Sequence, residues 1–334
     1  MITFNEIQDV HLEISTLCNS SCAWCPRNFW GYPFNDGYPE LNLTLVNAKK
    51  IFSQDFLLQL KTIRINGNFG DIVMNLEGPD IVEYFASSNQ QLRVSVSTNG
   101  AARPAEFWER LACTGATVEF CIDGLEDTHH LYRQNTVWKT VINNAKTVIA
   151  AGGSAVWKMI CFDHNKHQID QCRQMSQDLG FCDFQLIDDG RNTAPVFNNK
   201  GKLTHTLGNY RAETNFDKLF FKRKTDLVLL EDIVLDRQPK TKVTCETKQY
   251  KSIYIAANGD VYPCCFLGFY PKTFGHGTYH QAVNSQIASL ISKNNALEHD
   301  LEDCINWFSC VQESWAQSKY ENGRLVACDD NCGC

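Results

Sequence analysis

This chain of 334 residues lacks several things that would place it elsewhere. No apolar run approaches the ~18 residues that a membrane-spanning helix needs, which argues against a membrane protein. The start, Met1-Ile2-Thr3-Phe4-Asn5-Glu6, has neither the basic stretch nor the apolar core of a secretory signal, so a cytoplasmic location is expected. Positive charge is not in excess. The formal net charge is −7, and no ladder of aromatic and basic residues offers a surface to nucleic acid. A hydrophobic content of 43% with 21% charged residues fits an ordinary globular protein, long enough for one large α/β domain and a smaller one.

Cysteine is what the chain has in abundance, with sixteen. Without a secretory signal these read as metal ligands or buried thiols rather than a disulfide framework. Cys18, Cys22 and Cys25 follow the strand-like run Val10-His11-Leu12-Glu13-Ile14-Ser15 in the spacing C-x3-C-x2-C. Iron–sulfur clusters normally take four cysteines, so a lone trio suggests a [4Fe–4S] cluster with one iron open to a non-protein ligand. A zinc knuckle is the alternative, but it would want a fourth ligand nearby, and the next cysteine is Cys113.

Short apolar strands alternate with helix-length amphipathic stretches over the first ~190 residues, the pattern of βα units around a parallel sheet. Strands are expected at 10–16, 61–66, 91–98, 117–123, 155–162 and 183–188. Helices are expected at 45–60, 80–89, 104–113, 134–151 and 166–179. The pattern fits an open sheet or an incomplete (β/α) barrel. In the latter, functional residues gather at the C-terminal ends of the strands, where the cysteine trio falls. By the two-residue strand period, Ser95, Ser97 and Asn99 share a small polar face, and Glu119, Cys121 and Asp123 share another.

The trio, with the aromatic Trp24 before its third cysteine, resembles the signature of the radical S-adenosylmethionine (SAM) enzymes, in which the open iron chelates the amino and carboxylate groups of SAM. That resemblance implies a partial (β/α)6 TIM-like barrel. It also implies SAM contacts from Gly67, Asn68, Gly70 and Asp71, in a turn that differs from the family's glycine-glycine-glutamate motif. Ser97 and Asn99, in Ser97-Thr98-Asn99-Gly100, would meet the ribose. Asp123 and Arg133 match a family stretch in which Arg133 would pair with the SAM carboxylate. Lys158 would serve SAM or substrate, and Arg191 would bind substrate or remove a proton. Read without the resemblance, the two loops are tight turns, Arg133 is a surface ion pair and Lys158 snorkels to the barrel rim. Cys113, Cys121, Cys161, Cys172 and Cys182 read as small buried hydrophobes.

A second metal site is expected at the far end. Cys245 and Cys264 bracket a strand, an Asn258-Gly259 turn and a return strand, so a hairpin would bring them side by side. This spacing resembles the opening of the SPASM and twitch auxiliary-cluster domains. Cys245, Cys264, Cys328 and Cys332 would hold one auxiliary [4Fe–4S] cluster, with Cys265 and Cys334 able to exchange for Cys264 and Cys332. Cys304 and Cys310 would serve only a further cluster, and a zinc ribbon is the alternative. The expected division is a barrel at 1–195, a basic connecting segment at 196–244 and the auxiliary domain at 245–334. The segment 200–251, with Lys222-Arg223-Lys224, reads as a solvated linker or a docking strip for an acidic substrate or peptide.

The resemblance implies reductive cleavage of SAM to a 5′-deoxyadenosyl radical and hydrogen abstraction from substrate. The auxiliary cluster points to a two-electron oxidation or crosslink of a peptide or protein side chain, with dehydrogenation of a cyclitol or sugar as the alternative. Only seventeen residues precede Cys18, so a peptide would need a separate recognition protein or the basic segment. A reductant such as flavodoxin or ferredoxin is implied. From another class, an iron–sulfur electron carrier or a zinc-stabilised binding module would also use these cysteines.

Overall fold

The computed structural model describes residues 1–34, 38–187, 193–211, 213–219, 238–240, 242–269 and 286–334. Arg191 and the Lys222-Arg223-Lys224 cluster lie outside the described residues.

The strands are β1 (Asp9–Leu12), β2 (Asn28–Phe29), β3 (Tyr32–Pro33), β4 (Thr62–Ile65), β5 (Arg93–Thr98), β6 (Thr117–Cys121), β7 (Ser154–Ile160), β8 (Asp183–Ile187), β9 (Ala194–Phe197), β10 (Leu203–Leu207), β11 (Ser252–Ile255) and β12 (Val261–Tyr262). Six of them, β1 and β4 to β8, run parallel in sequential order, as an incomplete (β/α) barrel requires. Between them lie α1 (Leu45–Ile51), α2 (Gln54–Gln59), α3 (Gly78–Ser88), α4 (Ala105–Cys113), α5 (His129–Tyr132), α6 (Trp138–Ala150) and α7 (Ile169–Leu179). The stretch expected as one helix at 45–60 is broken after Phe52, where the Ser53 side chain caps α2 by accepting from the Phe56 N–H.

Alternation sets the two faces of each strand. Val94, Val96, Val118, Phe120, Ala155, Trp157 and Met159 face the helices and are buried in the core. Each valine, phenylalanine or methionine among them contributes roughly 1.5–3 kcal/mol by leaving water. The opposite set, including His11, Ser95, Ser97, Glu119, Cys121 and Lys158, looks into the barrel.

The sheet does not end where the barrel does. β11 pairs parallel with β1, with Asp9 opposite Ser252 and Leu12 opposite Ile255, and β12 returns antiparallel. The C-terminal hairpin therefore extends the barrel sheet as its seventh and eighth strands. Gly259 makes its turn at φ +88°, a conformation glycine adopts without penalty. The boundary expected between the barrel at 1–195 and the connecting segment at 196–244 falls inside the wholly buried β9, which pairs with β10. Cys113 and Cys182, expected to be buried, are exposed because they end a surface helix and precede the edge strand β8. Cys172 is buried as expected.

Candidate active site and auxiliary thiol site

Cys18, Cys22 and Cys25 lie in the loop after β1 and line one end of a cavity of about 660 Å³ within the barrel mouth. Local bonds fix the loop. The Cys25 N–H donates to Cys22 O at 3.1 Å, the Ser20 N–H donates to Cys18 Sγ at 3.4 Å, and Ser20 Oγ lies 3.1 Å from Cys22 Sγ. Burial pushes the Cys18 thiol up and Cys25 to about 12, and the neighbouring thiols add to both shifts. Burial thus favours the thiol form of Cys18 and Cys25, and a bound cation would favour the thiolate. Cys121 lines the same cavity, but its electrostatic neighbours are Arg133, Asp123, Lys158 and Asp71 rather than the trio. The donor set thus fits a cluster held at three corners. Among the described residues no three His, Cys, Asp or Glu side chains converge closely enough for a single metal ion.

Trp24 lines the cavity and meets Trp30 edge-on at 4.7 Å; its indole N–H is buried without a partner among the described residues. Gly67, Asn68, Gly70 and Asp71 line the cavity beside the trio, yet each also holds the fold. A Cβ on Gly70 would lie 1.9 Å from the Ser15 carbonyl oxygen, and one on Gly67 2.4 Å from that of Gly70. Glycine is needed here for the loop to lie against the end of β1. Asp71 accepts from Thr98 Oγ1 at 2.6 Å and from the backbone N–H groups of Asn99 at 2.7 Å and Val73 at 3.1 Å. Its carboxylate braces the Ser-Thr-Asn-Gly strand end, although burial raises its pKa. Asn68 donates to Cys265 O at 2.9 Å, tying this loop to the C-terminal segment.

Ser97 and Asn99 also line the cavity. Asn99 Nδ2 donates to Asn19 Oδ1 at 2.9 Å and lies 3.6 Å from Cys18 Sγ. Arg133 Nε donates to Asp123 Oδ2 at 2.6 Å, a buried pair rather than the surface pair the sequence left open. One terminal nitrogen of Arg133 is 3.9 Å from Cys22 Sγ, so the guanidinium spans from Asp123 to the trio. Lys158 is paired too, its Nζ 3.0 Å from Glu119 Oε2, which also accepts from Ser97 Oγ.

Sequence reasoning gave no role to Glu13. This carboxylate is fully buried at the end of β1 and accepts from the Phe69 N–H at 2.7 Å, the Gly70 N–H at 3.2 Å and Tyr254 Oη at 3.1 Å. It joins the 66–71 loop to β11. An acid on the inward face of a barrel strand, in step with Asp9 and His11, was the available signal.

The C-terminal thiols form a second site. Cys245, Cys264, Cys265, Cys328 and Cys332 line one cavity of about 190 Å³. Burial raises the Cys264 thiol strongly and Cys328 to about 12, with further contributions among the thiols themselves. His11, Cys265, Phe266 and Asn331 line both cavities, so a wall one side chain thick separates the two sites. Cys304 is buried in the core instead, and the exposed Cys334 lies beside Thr244 and Lys242 O, on neither cavity wall. Cys310 lines neither cavity. The donor set of half-buried thiols lining one cavity fits an iron–sulfur cluster.

Residues 245–304 match the SPASM family model, an iron–sulfur cluster-binding domain. No curated protein matches the chain in sequence. Among solved structures, Streptococcus suis SuiB bound to S-adenosylmethionine is similar over 98% of this chain and 73% of its own, with TM-score 0.59 and 14% identity. SuiB bound to its precursor peptide SuiA aligns over 98% and 72%, with TM-score 0.57 and 13% identity. The protein anSMEcpe with bound AdoMet aligns over 81% of this chain and 76% of its own, with TM-score 0.51 and 17% identity. The chain thus has the fold of these S-adenosylmethionine-bound structures, with a cysteine trio at its barrel mouth and a match to a SPASM iron–sulfur domain at residues 245–304.

Proposed function

We propose that this protein is a radical SAM enzyme that oxidises or crosslinks a peptide side chain. The observation that carries this reading is one cavity holding the three thiols at one end and polar groups from the ends of β4 to β7 along its wall. Cys18, Cys22 and Cys25 would hold a [4Fe–4S] cluster with one iron open for SAM. When bound, these groups would supply a 5′-deoxyadenosyl radical for hydrogen abstraction from the substrate.

The chain's own residues bind, orient and exclude water. Asn99 and Ser97 offer hydrogen-bond partners to ribose hydroxyls, and Arg133 offers guanidinium N–H groups to a carboxylate beside Cys22. Asp123 holds Arg133 in that orientation. Glu13 and Asp71 keep the 66–71 loop and the 97–100 strand end in register, so that backbone groups of the loop meet the SAM amino end. Lys158 and Glu119 form a charged pair on the barrel side of the same cavity.

The thiols of Cys245, Cys264, Cys328 and Cys332 would hold one auxiliary cluster, with Cys265 beside it on the shared wall. Their nearness to the main cavity supports removal of an electron from a substrate radical, which makes the reaction a two-electron oxidation. A peptide substrate is favoured because the fold resembles that of SuiB, which was crystallised with a precursor peptide. The reductant is of the flavodoxin or ferredoxin kind, and the protein works in the cytoplasm. No described helix is long and apolar enough to cross a membrane.

The test is anaerobic reconstitution with iron and sulfide, followed by dithionite and SAM. The wild type is expected to form 5′-deoxyadenosine and a Cys18/Cys22/Cys25→Ala variant none. Absence of the nucleoside from a wild type with a full iron complement would support an electron carrier instead, and a colourless protein that binds zinc would overturn both iron–sulfur assignments.

A further inference from the structure

The chain is acidic overall, yet the N-terminal end of the barrel carries a cationic cavity of about 410 Å³. Lys61, Arg64 and Arg93 line it, with Asp9 as its acid. They come together because Asp9, Thr62 and Arg93 begin adjacent parallel strands in register. Asp9 is taken up by Arg64, whose guanidinium donates from Nε at 3.2 Å and from a terminal nitrogen at 2.6 Å. Lys61 and Arg93 are exposed and have no acidic partner among the described residues.

Tyr250 stands on the rim with 63% of its surface exposed. Tyrosine and arginine are residue types enriched at protein interfaces, and Tyr250 and Arg93 supply both at this rim. Arg64 and Tyr250 also line the cavity of the auxiliary thiols. One layer of side chains therefore separates the cationic surface from Cys245, Cys264 and Cys265. The barrel mouth, where SAM and substrate are read to bind, lies at the other end of the strands.

We propose that Lys61, Arg64, Arg93 and Tyr250 form the docking surface for an acidic one-electron carrier protein of the flavodoxin or ferredoxin class. This inference rests on the iron–sulfur reading of the auxiliary thiols. One electron passes from the auxiliary site to the carrier's oxidised flavin or iron–sulfur centre, which is reduced by that electron; no bond is made or broken. Docking at the foot of the barrel returns the auxiliary site to its oxidised state without occupying the mouth where substrate is read to bind. Charge complementarity selects the partner and speeds encounter, so the association must weaken with salt.

The experiment measures binding of oxidised flavodoxin, and in a second arm oxidised ferredoxin, to the reconstituted protein by titration calorimetry across ionic strengths. A Lys61→Glu/Arg93→Glu variant is expected to lose at least tenfold in affinity at low salt and most of its salt dependence. A Lys61→Arg/Arg93→Lys variant is expected to bind as the wild type does. Iron content and dithionite-driven 5′-deoxyadenosine formation should be unchanged in both variants, which shows that each is folded. Equal affinity after charge reversal overturns the proposal. So does a wild type that binds neither carrier, and so does a site that binds only inorganic phosphate. Because binding is read directly, a failure of SAM cleavage would count against the enzyme reading and leave this result standing on its own.

Discussion

Arg324 holds the auxiliary site together, and replacing it with alanine should remove that site while sparing the other. Arg324 is 5% exposed and Asp329 is fully buried. Nε donates to Asp329 Oδ2 at 3.0 Å and a terminal nitrogen to Oδ1 at 2.8 Å. The remaining N–H groups reach Trp315 O at 2.6 Å, Gln317 O at 3.2 Å and Lys240 O at 2.5 Å. Asp329 also accepts from Tyr320 Oη at 3.0 Å and from the Lys240 N–H at 3.1 Å. Asp329 lies in the helix Val326–Cys332, between two of the thiols, and Lys240 lies just before Cys245. The pair thus clamps the two chain segments that carry Cys245, Cys328 and Cys332. Arg324→Ala leaves a buried carboxylate with only neutral donors, at a cost of about 3–5 kcal/mol. Stability of a domain is itself only about 5–15 kcal/mol, so this segment should lose most of its order. After reconstitution, the iron content should fall by the equivalent of one [4Fe–4S] cluster, and 5′-deoxyadenosine formation should persist. Arg324→Lys keeps the charge but not the fork and should fall between. Full iron content and an unchanged thermal midpoint in Arg324→Ala would refute the reasoning.

Gly70→Ala should destabilise the protein by about 2–4 kcal/mol and weaken SAM binding, because its Cβ meets backbone on two sides. Gly115→Ala, which meets nothing within 4 Å and is strained only by its φ of +78°, should cost about 1–2 kcal/mol; equal losses in the two variants by denaturant titration would contradict the close-approach argument. Acid lability should trace in part to His129. Its Nδ1 accepts from the Asp123 N–H at 3.1 Å, Nε2 donates to Thr136 Oγ1 at 3.0 Å, and burial lowers its pKa from 6.5 to about 4. The unfolded chain binds the proton first, so stability rises with pH between about 4 and 6.5 and is lost as pH falls through that window, with a slope near ~1.4 kcal/mol per pH unit. His129→Gln should flatten that slope in denaturant midpoints taken across the window, and an unchanged slope would show that the charge is accommodated elsewhere.

The order of the six barrel strands, their two faces and the placing of the cysteine trio after β1 are all legible in the sequence, because each follows from local periodicity and spacing. The polar inward face of Ser95 and Ser97 follows from the same two-residue period. The sequence also carried the Asn258-Gly259 hairpin between Cys245 and Cys264, since a turn of that kind is a local matter. What that hairpin pairs with is not local: β11 joins β1 across more than two hundred residues, and only the packed sheet decides it. From that pairing come the Glu13–Tyr254 bond, the Asn68–Cys265 bond and the thin wall between the two thiol cavities. The Arg324–Asp329 clamp was likewise invisible, because a buried ion pair and a solvated one look alike until burial is known. Spacing along the chain determined which cysteines could act together, while tertiary packing decided which of them share a cavity and which charged groups have lost their water.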